Sequence, residues 1–547
     1  MPSEEAAPNT GGKLSATETA ASVSSVTRWK PRGNPWLIAV VVALAAFMEV
    51  LDTSIANVAL PYMAGNLGAS KDESTWVLTS YLVSNAMVLP MTGWFAGIFG
   101  RKRFFMICLA IFTVSSLLCG IAPNLGAMIL FRVIQGAGGG GLQPMSQAIL
   151  ADTFPPEKRG LAFALFGITT IFAPTIGPTL GGWITDNYSW RWIFFINLPV
   201  GILALFLVLR LLEDPPWIKR LARAGITIDY VGIALLVVGV GALQVMLDKG
   251  QEDDWFGSTL ILSLAVTATV GLTSLVIWEW FHKSPIVDVR LYKNINFLGA
   301  NFMIFVLGIM LFSSLVMMPQ FLQTLVGYTA ASAGLVLSGG GLLLLFLLPI
   351  VGALSSRVQA RYIIAFGWLA LSVGMFYSTQ TLNLQISFQG AAFLRVVQVF
   401  GLGFLFGPIN LVSYVGMPLE KSGSVAGLVN FMRNIGASIG TSLVTTVIAR
   451  RAQFRQVHLV AHATLGQSQF TQAADALSRH LATSGLDPSR ATVQAYARLY
   501  NGIVAQATTL AYIDMFWVLC VGAAIMSLLS FALRKNQVGV ARQLALE

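Results

Sequence analysis

The sequence predicts an all-α polytopic membrane protein, and three observations carry that prediction. Of 547 residues, 55% are hydrophobic and 11% charged, whereas soluble domains run at about 25% charged. Apolar windows of about 20 residues, long enough to cross a bilayer as a helix, recur along the whole chain. These runs are continuous, which separates them from β-barrel strands that alternate over about ten residues.

Fourteen spans follow from the apolar runs and their breaks. The first, near 36–60, follows a basic stretch of Arg28, Lys30 and Arg32. The second, 76–99, lies between Lys71 and the cluster Arg101, Lys102 and Arg103. The third and fourth, 104–121 and 126–150, end before Lys158 and Arg159. The fifth and sixth, 160–184 and 190–212, are followed by Arg210, Lys219, Arg220 and Arg223. The seventh and eighth, 229–247 and 258–281, are separated at Lys249 and followed by Lys283, Arg290 and Lys293. The ninth and tenth, 296–324 and 331–355, precede Arg357 and Arg361. The eleventh and twelfth, 361–379 and 387–413, precede Lys421. The thirteenth, 423–449, is separated by a long polar outer loop, 450–513, expected to be partly helical at Ala-rich stretches such as "QAADALSRHLA", from the fourteenth, 514–534, which runs into Arg534, Lys535 and Arg542. Basic clusters fall at every second break, which sets both termini in the cytoplasm.

The expected domains are a disordered cytoplasmic tail at 1–34 and a six-helix bundle at 35–212. Two linker helices at 213–295 follow, then a second six-helix bundle at 296–535 with its outer loop 450–513, and a cytoplasmic tail at 536–547. Residues 1–27 are rich in Ala, Ser, Thr and Glu with no apolar core, unlike a signal peptide. The net charge of +10 is spread between spans, so no concentrated basic face points to nucleic acid. Cys108, Cys119 and Cys520 fall inside spans, with no disulfide framework. His458 and His462 are four residues apart, but no third ligand has suitable spacing, so neither a metal nor another cofactor is expected.

An internal repeat is visible. "FRVIQGAGGGGLQP" at 131–144 matches "LRVVQVFGLGFLFGP" at 394–408, with Arg132 and Arg395 opening equivalent R-V-x-Q runs. A weaker pair joins 93–105 to 352–364. Both are offset by about 260 residues in the same membrane sense, as in parallel six-helix repeats. The glycine runs at 136–141 and 338–342 serve either as packing seams or as hinge and cavity lining. The first is no phosphate loop, because it lies within a span and lacks the following Lys-Ser/Thr.

Within "FMEVLDTSIANVALP" (47–61), Glu49 and Asp52 share one helix face. A charge at mid-membrane costs about 2.5–3.5 kcal/mol on insertion scales and persists facing a bundle interior or a water-filled cavity. By helix rise, Asp52 lies about 12 Å from the outer end of its span, and Arg132, six residues into a helix that enters from outside, about 9 Å from the same side. An Asp52–Arg132 contact is therefore within reach. Such a group either loads and releases a proton as a cavity opens and closes, statically pins the first helix to the fourth, or sits idle with its neighbour. Arg433 in "NFMRNIG" either meets substrate or caps a neighbouring helix, and Gln135, Phe172, Gln398 and Asn430 either line a cavity or simply pack.

Taken together, these motifs resemble the 14-helix drug:proton antiporters of the major facilitator superfamily, the EmrB/QacA type, over almost all of residues 35–535. "LDTSIANVALP" (51–61) is similar to that group's first-helix motif, "RVIQG" (132–136) to the fourth-helix motif, and "APTIGPTLGG" (173–182) to the fifth-helix antiporter motif. The resemblance implies that Gly177, Pro178, Gly181 and Gly182 permit bending and close helix contact. The loop "GWFAGIFGRK" (93–102) keeps Gly93, Gly100, Arg101 and Lys102 but has Gly97 where the superfamily has an acid. The resemblance further implies a proton-coupled exporter of hydrophobic or amphipathic drugs in a bacterial inner membrane, working by alternating access. Asp52, Arg132 and Glu49 would serve coupling. A periplasmic adaptor and an outer-membrane channel are implied partners. The alternative is an exporter of a specific metabolite such as a fatty acid, siderophore or antibiotic. A membrane enzyme would need convergent nucleophile, His or acid groups near one interface, and none is seen.

Overall fold

The computed structural model describes residues 31–215, 228–461, 463 and 467–534. Both expected tails (apart from a few flanking residues) lie outside that range, as do Arg28, Lys30, Lys219, Arg220, Arg223, His462, Lys535 and Arg542.

Fifteen long helices account for the described chain. They are α1 (Pro35–Leu67), α2 (Trp76–Phe99), α3 (Arg101–Gly120), α4 (Leu125–Thr153), α5 (Pro156–Asn187) and α6 (Trp192–Leu211). Then come α7 (Tyr230–Lys249), α8 (Thr259–Phe281), α9 (Ile295–Phe321), α10 (Ala330–Leu354), α11 (Ala360–Thr381) and α12 (Phe388–Ser413). The last are α13 (Ser422–Ala461), α14 (Ser468–Thr483) and α15 (Pro488–Leu529). All but α13 and α14 are apolar enough over a span length to cross a membrane. α13 is 40 residues long and belongs to the second half, on the side that meets the first. Its inward face carries Asn430, Arg433, Asn434 and Ser438, which lowers its hydropathy. With it the fold has fourteen spanning helices.

Local chemistry sets the helix ends. Asn34 caps α1, accepting from the Trp36 amide at 2.9 Å with Pro35 in the first turn. Asn124 does the same for α4 through Ala127 at 2.8 Å. These caps satisfy backbone donors that have no partner within the helix. Gly100 separates α2 from α3 at φ 82°, a conformation that excludes most side chains.

α1–α6 form one bundle and α9–α13 with α15 the other, each first helix packing in the equivalent place. The halves meet along α5 with α10, α4 with α13, and α2 with α13. α7 and α8 pair at facing glycines, Gly239 and Gly271, and α7 lies against α2. The expected break after residue 449 does not occur. α13 continues to Ala461, and α15 begins at Pro488, so the outer segment, expected to be partly helical, is largely so and its bounding spans are longer than expected. Arg455 holds Asp514 with two contacts of 2.7 and 3.1 Å, joining α13 to α15. Alanines at 473, 474, 476 and 482 favour the intervening α14.

The end where α1 begins is hereafter the basic end. There the halves close tightly. Gly160 faces Gly352, and Gly93 lies against the backbone of Ser424. Phe163 stacks on Tyr414 at 5.4 Å and Phe166 on Phe406 at 6.0 Å. Towards the opposite end lie two cavities. One of 420 Å³ is bounded by Ser54, Asn57, Pro178, Gln320 and Gln323. The other, of 170 Å³, is bounded by Gln244, Asp248, Asn434 and Ser438.

Candidate functional site

Helical pitch assembles the site. On α4, residues 132, 135, 139, 143 and 147 recur every three or four positions and so share a face. That face meets Glu49 and Asp52 of α1, which are 3% and 2% exposed. Gly139 leaves room there, since a side chain at that position would meet the Tyr81 hydroxyl and Glu49. The neighbouring glycines seat α4 on other helices: Gly136 and Gly140 on α2, Gly138 and Gly141 on α3.

Asp52 is an ion-paired acid. Its Oδ2 lies 2.7 Å from Arg132 Nη1. Its Oδ1 accepts from Gln135 at 3.0 Å and from Asn197 of α6 at 2.7 Å. Arg132 also donates to the Val77 carbonyl at 3.0 Å and to Gln135 at 2.8 Å. Its guanidinium sits 4.2 Å from the centre of the Tyr81 ring, an attractive cation–π placement. Four helices, α1, α2, α4 and α6, thus converge on one buried pair, and losing either partner would strand a charge.

Glu49 has different company. It accepts from the Tyr81 hydroxyl at 2.9 Å, from Asn85 at 3.0 Å and from Gln143. All three donors are neutral. The link to a cation is indirect, because Arg433 of α13 donates to the same Gln143. Asn434 reaches Asn85 at 3.2 Å. Further towards the basic end, Gln147 donates to Asn410 and accepts from Asn430 at 2.7 Å. Polar side chains therefore run continuously from Glu49 across the boundary between the halves.

The loop motif lies beyond this network. Arg101 pairs with Asp152 at the end of α4 and reaches Ser422 at the start of α13. Lys102 donates to the Leu209 carbonyl at 2.7 Å, tying α3 to α6. On α5, Gly177 lies against Ser54 and Gly181 against Ile55, while Pro178 borders the larger cavity. Gly182 faces open space. Phe172 packs at Gly341 of α10. Gln398 stands apart from both acids, bonded to Ser378 at 3.0 Å and to Arg395 at 3.3 Å.

Tyr81, Asn85, Gln143 and Asn197 escaped the sequence reading. Their only signal was a neutral polar side chain inside an apolar run. No group of three His, Cys, Asp or Glu side chains is placed to hold a metal among the described residues.

Two parallel six-helix bundles, shut at one end, with cavities towards the other and an ion pair buried inside the first bundle, define a membrane carrier. The family model described as Major Facilitator Superfamily matches residues 42–441, and the chain belongs to that superfamily of multi-pass membrane transporters. It is 38% identical over 486 residues to the Multidrug export protein EmrB of Haemophilus influenzae, covering 89% of this chain and 93% of that one. It is also 38% identical over 444 residues to the Fatty acid resistance protein FarB of Neisseria gonorrhoeae, covering 81% and 86%. The fold matches the proton:xylose symporter XylE with a TM-score of 0.58 at 14% identity, covering 94% of this chain and 98% of that one.

Proposed function

We propose that this transporter exports hydrophobic or amphipathic drugs in exchange for protons, by rocking its two halves about the buried acids. The observation that carries this reading is the Asp52–Arg132 pair, fully enclosed yet linked through Tyr81 to Glu49 and through Gln143 to the opposite half. Water access and the nearness of a cation both change the free energy of a carboxylate's charged form. Movement between the halves changes both, so the site loads a proton on one side and releases it on the other. Relatives named for multidrug export support the cargo class. The protein sits in a bacterial inner membrane with both termini cytoplasmic, so the basic end faces the cytoplasm. In that setting the helices at 450–513 reach into the periplasm and offer a contact for an adaptor leading to an outer-membrane channel.

Efflux in everted vesicles, with and without a proton gradient, tests the coupling. Asp52→Asn should lose gradient-driven efflux, and equal efflux by variant and parent would remove Asp52 from the mechanism. A second reading, export of a specific metabolite such as a fatty acid, is favoured by the relative named for fatty acid resistance. Competition of a fatty acid against unrelated drugs in the same vesicles separates the two.

A further inference from the structure

The repeat that places Arg132 in the first half places Arg395 in the second, and each arginine has a glutamine three residues on as a partner. Arg132 and Gln135 on α4 correspond to Arg395 and Gln398 on α12, and both glutamines accept from their arginine. Ser116 on α3 corresponds to Ser378 on α11, about 260 residues later. Asp52 on α1 corresponds to Ser314 on α9 at the same spacing. The second half thus keeps the arginine and its glutamine, loses the acid, and has no counterpart to the Val77 carbonyl that accepts from Arg132 Nε.

The consequence is visible around Arg395. It is 2% exposed, as deeply enclosed as Asp52. Its contacts are long: 3.2 Å to the Ser314 hydroxyl, 3.5 Å to the Ser314 carbonyl and 3.3 Å to Gln398. Its Nε has no hydrogen-bond partner, and among the described residues no carboxylate pairs with it. A buried guanidinium without a counter-charge is costly and calls for an anion. The side chain borders a narrow gap walled by Ile171, Pro174, Leu311, Leu315, Leu344 and Val399. Pro174 and Leu315 also border the 420 Å³ cavity, so Arg395 stands next to its floor. The gap lies between α5 of one half and α9, α10 and α12 of the other, where parting of the halves would widen it.

We propose that Arg395 is an anion-binding site, taking the compact anionic head of an amphipathic molecule whose apolar tail lies along this wall into the larger cavity. The proposal deepens the exporter reading by naming a cargo chemistry and the residue that selects it. The same chemistry is offered by a single-chain carboxylate and by an anionic lipid.

The test is equilibrium binding to the purified full chain in phosphatidylcholine nanodiscs, using decanoate and its neutral analogue decanol. The parent should bind decanoate about tenfold or more tightly than decanol, the scale of one charge-assisted contact. Arg395→Gln should erase that preference and Arg395→Lys should keep most of it. Equal binding of decanoate and decanol by the parent, or undiminished decanoate preference in Arg395→Gln, would overturn the proposal. If Arg395→Gln does not fold, the parent's preference decides alone. Repeating the titration in nanodiscs containing phosphatidylglycerol distinguishes the sources. Competition there identifies a lipid head as an occupant, its absence identifies the soluble amphiphile, and both support the anion site. No proton gradient is present, so failure of Asp52-dependent coupling would leave this result untouched.

Discussion

Glu49 and Asp52 sit one helical turn apart, yet their partners give them different sensitivities to substitution. Asp52 is held by a cation, Glu49 by three neutral donors. Glu49→Ala leaves the Tyr81 hydroxyl and the Asn85 and Gln143 amides without their acceptor, and buried unsatisfied groups cost about 1–3 kcal/mol each. Glu49→Gln keeps size and one acceptor oxygen. Thermal unfolding in detergent should therefore show a clear loss for Glu49→Ala and a smaller one for Glu49→Gln; the reverse order would mean that these bonds contribute little. Charged site residues were legible in the sequence because a charge in an apolar span is conspicuous and expensive. Depth along each helix even brought Asp52 and Arg132 together. Asn197 and Gln143 were not legible, since a neutral amide in a span stands out little and its partner lies on another helix at an unknown rotation.

At the scale of elements, the fourteen spans and the repeat could be read from apolar periods and basic breaks. The roles of the glycines could not, because a seam depends on which helix faces which. The structure distinguishes them. A side chain at Gly136 would strike the Tyr81 carbonyl and one at Gly140 the Asn85 carbonyl, whereas Gly182 has no neighbour in reach. Gly136→Ala and Gly140→Ala should each lose about 1–3 kcal/mol of stability through overpacking, while Gly182→Ala should be near neutral despite its place in the fifth-helix motif. Melting temperatures of the three variants check this, and a marked loss at Gly182 would contradict the packing. The unbroken course of α13 past residue 449 was also hidden. Polar residues such as Arg451, Arg455 and Gln456 read as a loop, although helix propensity and the Arg455–Asp514 bridge keep the chain helical.

For the whole molecule, the basic end is sealed by interactions from both halves: Arg101 with Asp152 and Ser422, Gly93 with Ser424, and the stacked aromatic pairs. The opposite end retains cavities. If the far helices serve an adaptor, replacing residues 462–487 by a short Gly/Ser linker should leave membrane insertion intact and abolish drug resistance in cells. Unchanged resistance would count against the adaptor.

α15 has 42 residues, a length of about 63 Å, whereas the hydrocarbon layer takes up about 30 Å. Roughly half of this rod therefore stands clear of the bilayer, braced by α14 and by the arginine clamp on Asp514. A rigid spar of that kind acts as an oar: a tilt of ten degrees at the membrane sweeps a blade about 30 Å away through roughly 5 Å. Under the proposed rocking of the halves, a partner docked on the blade would feel each stroke mechanically, without any ligand passing between them.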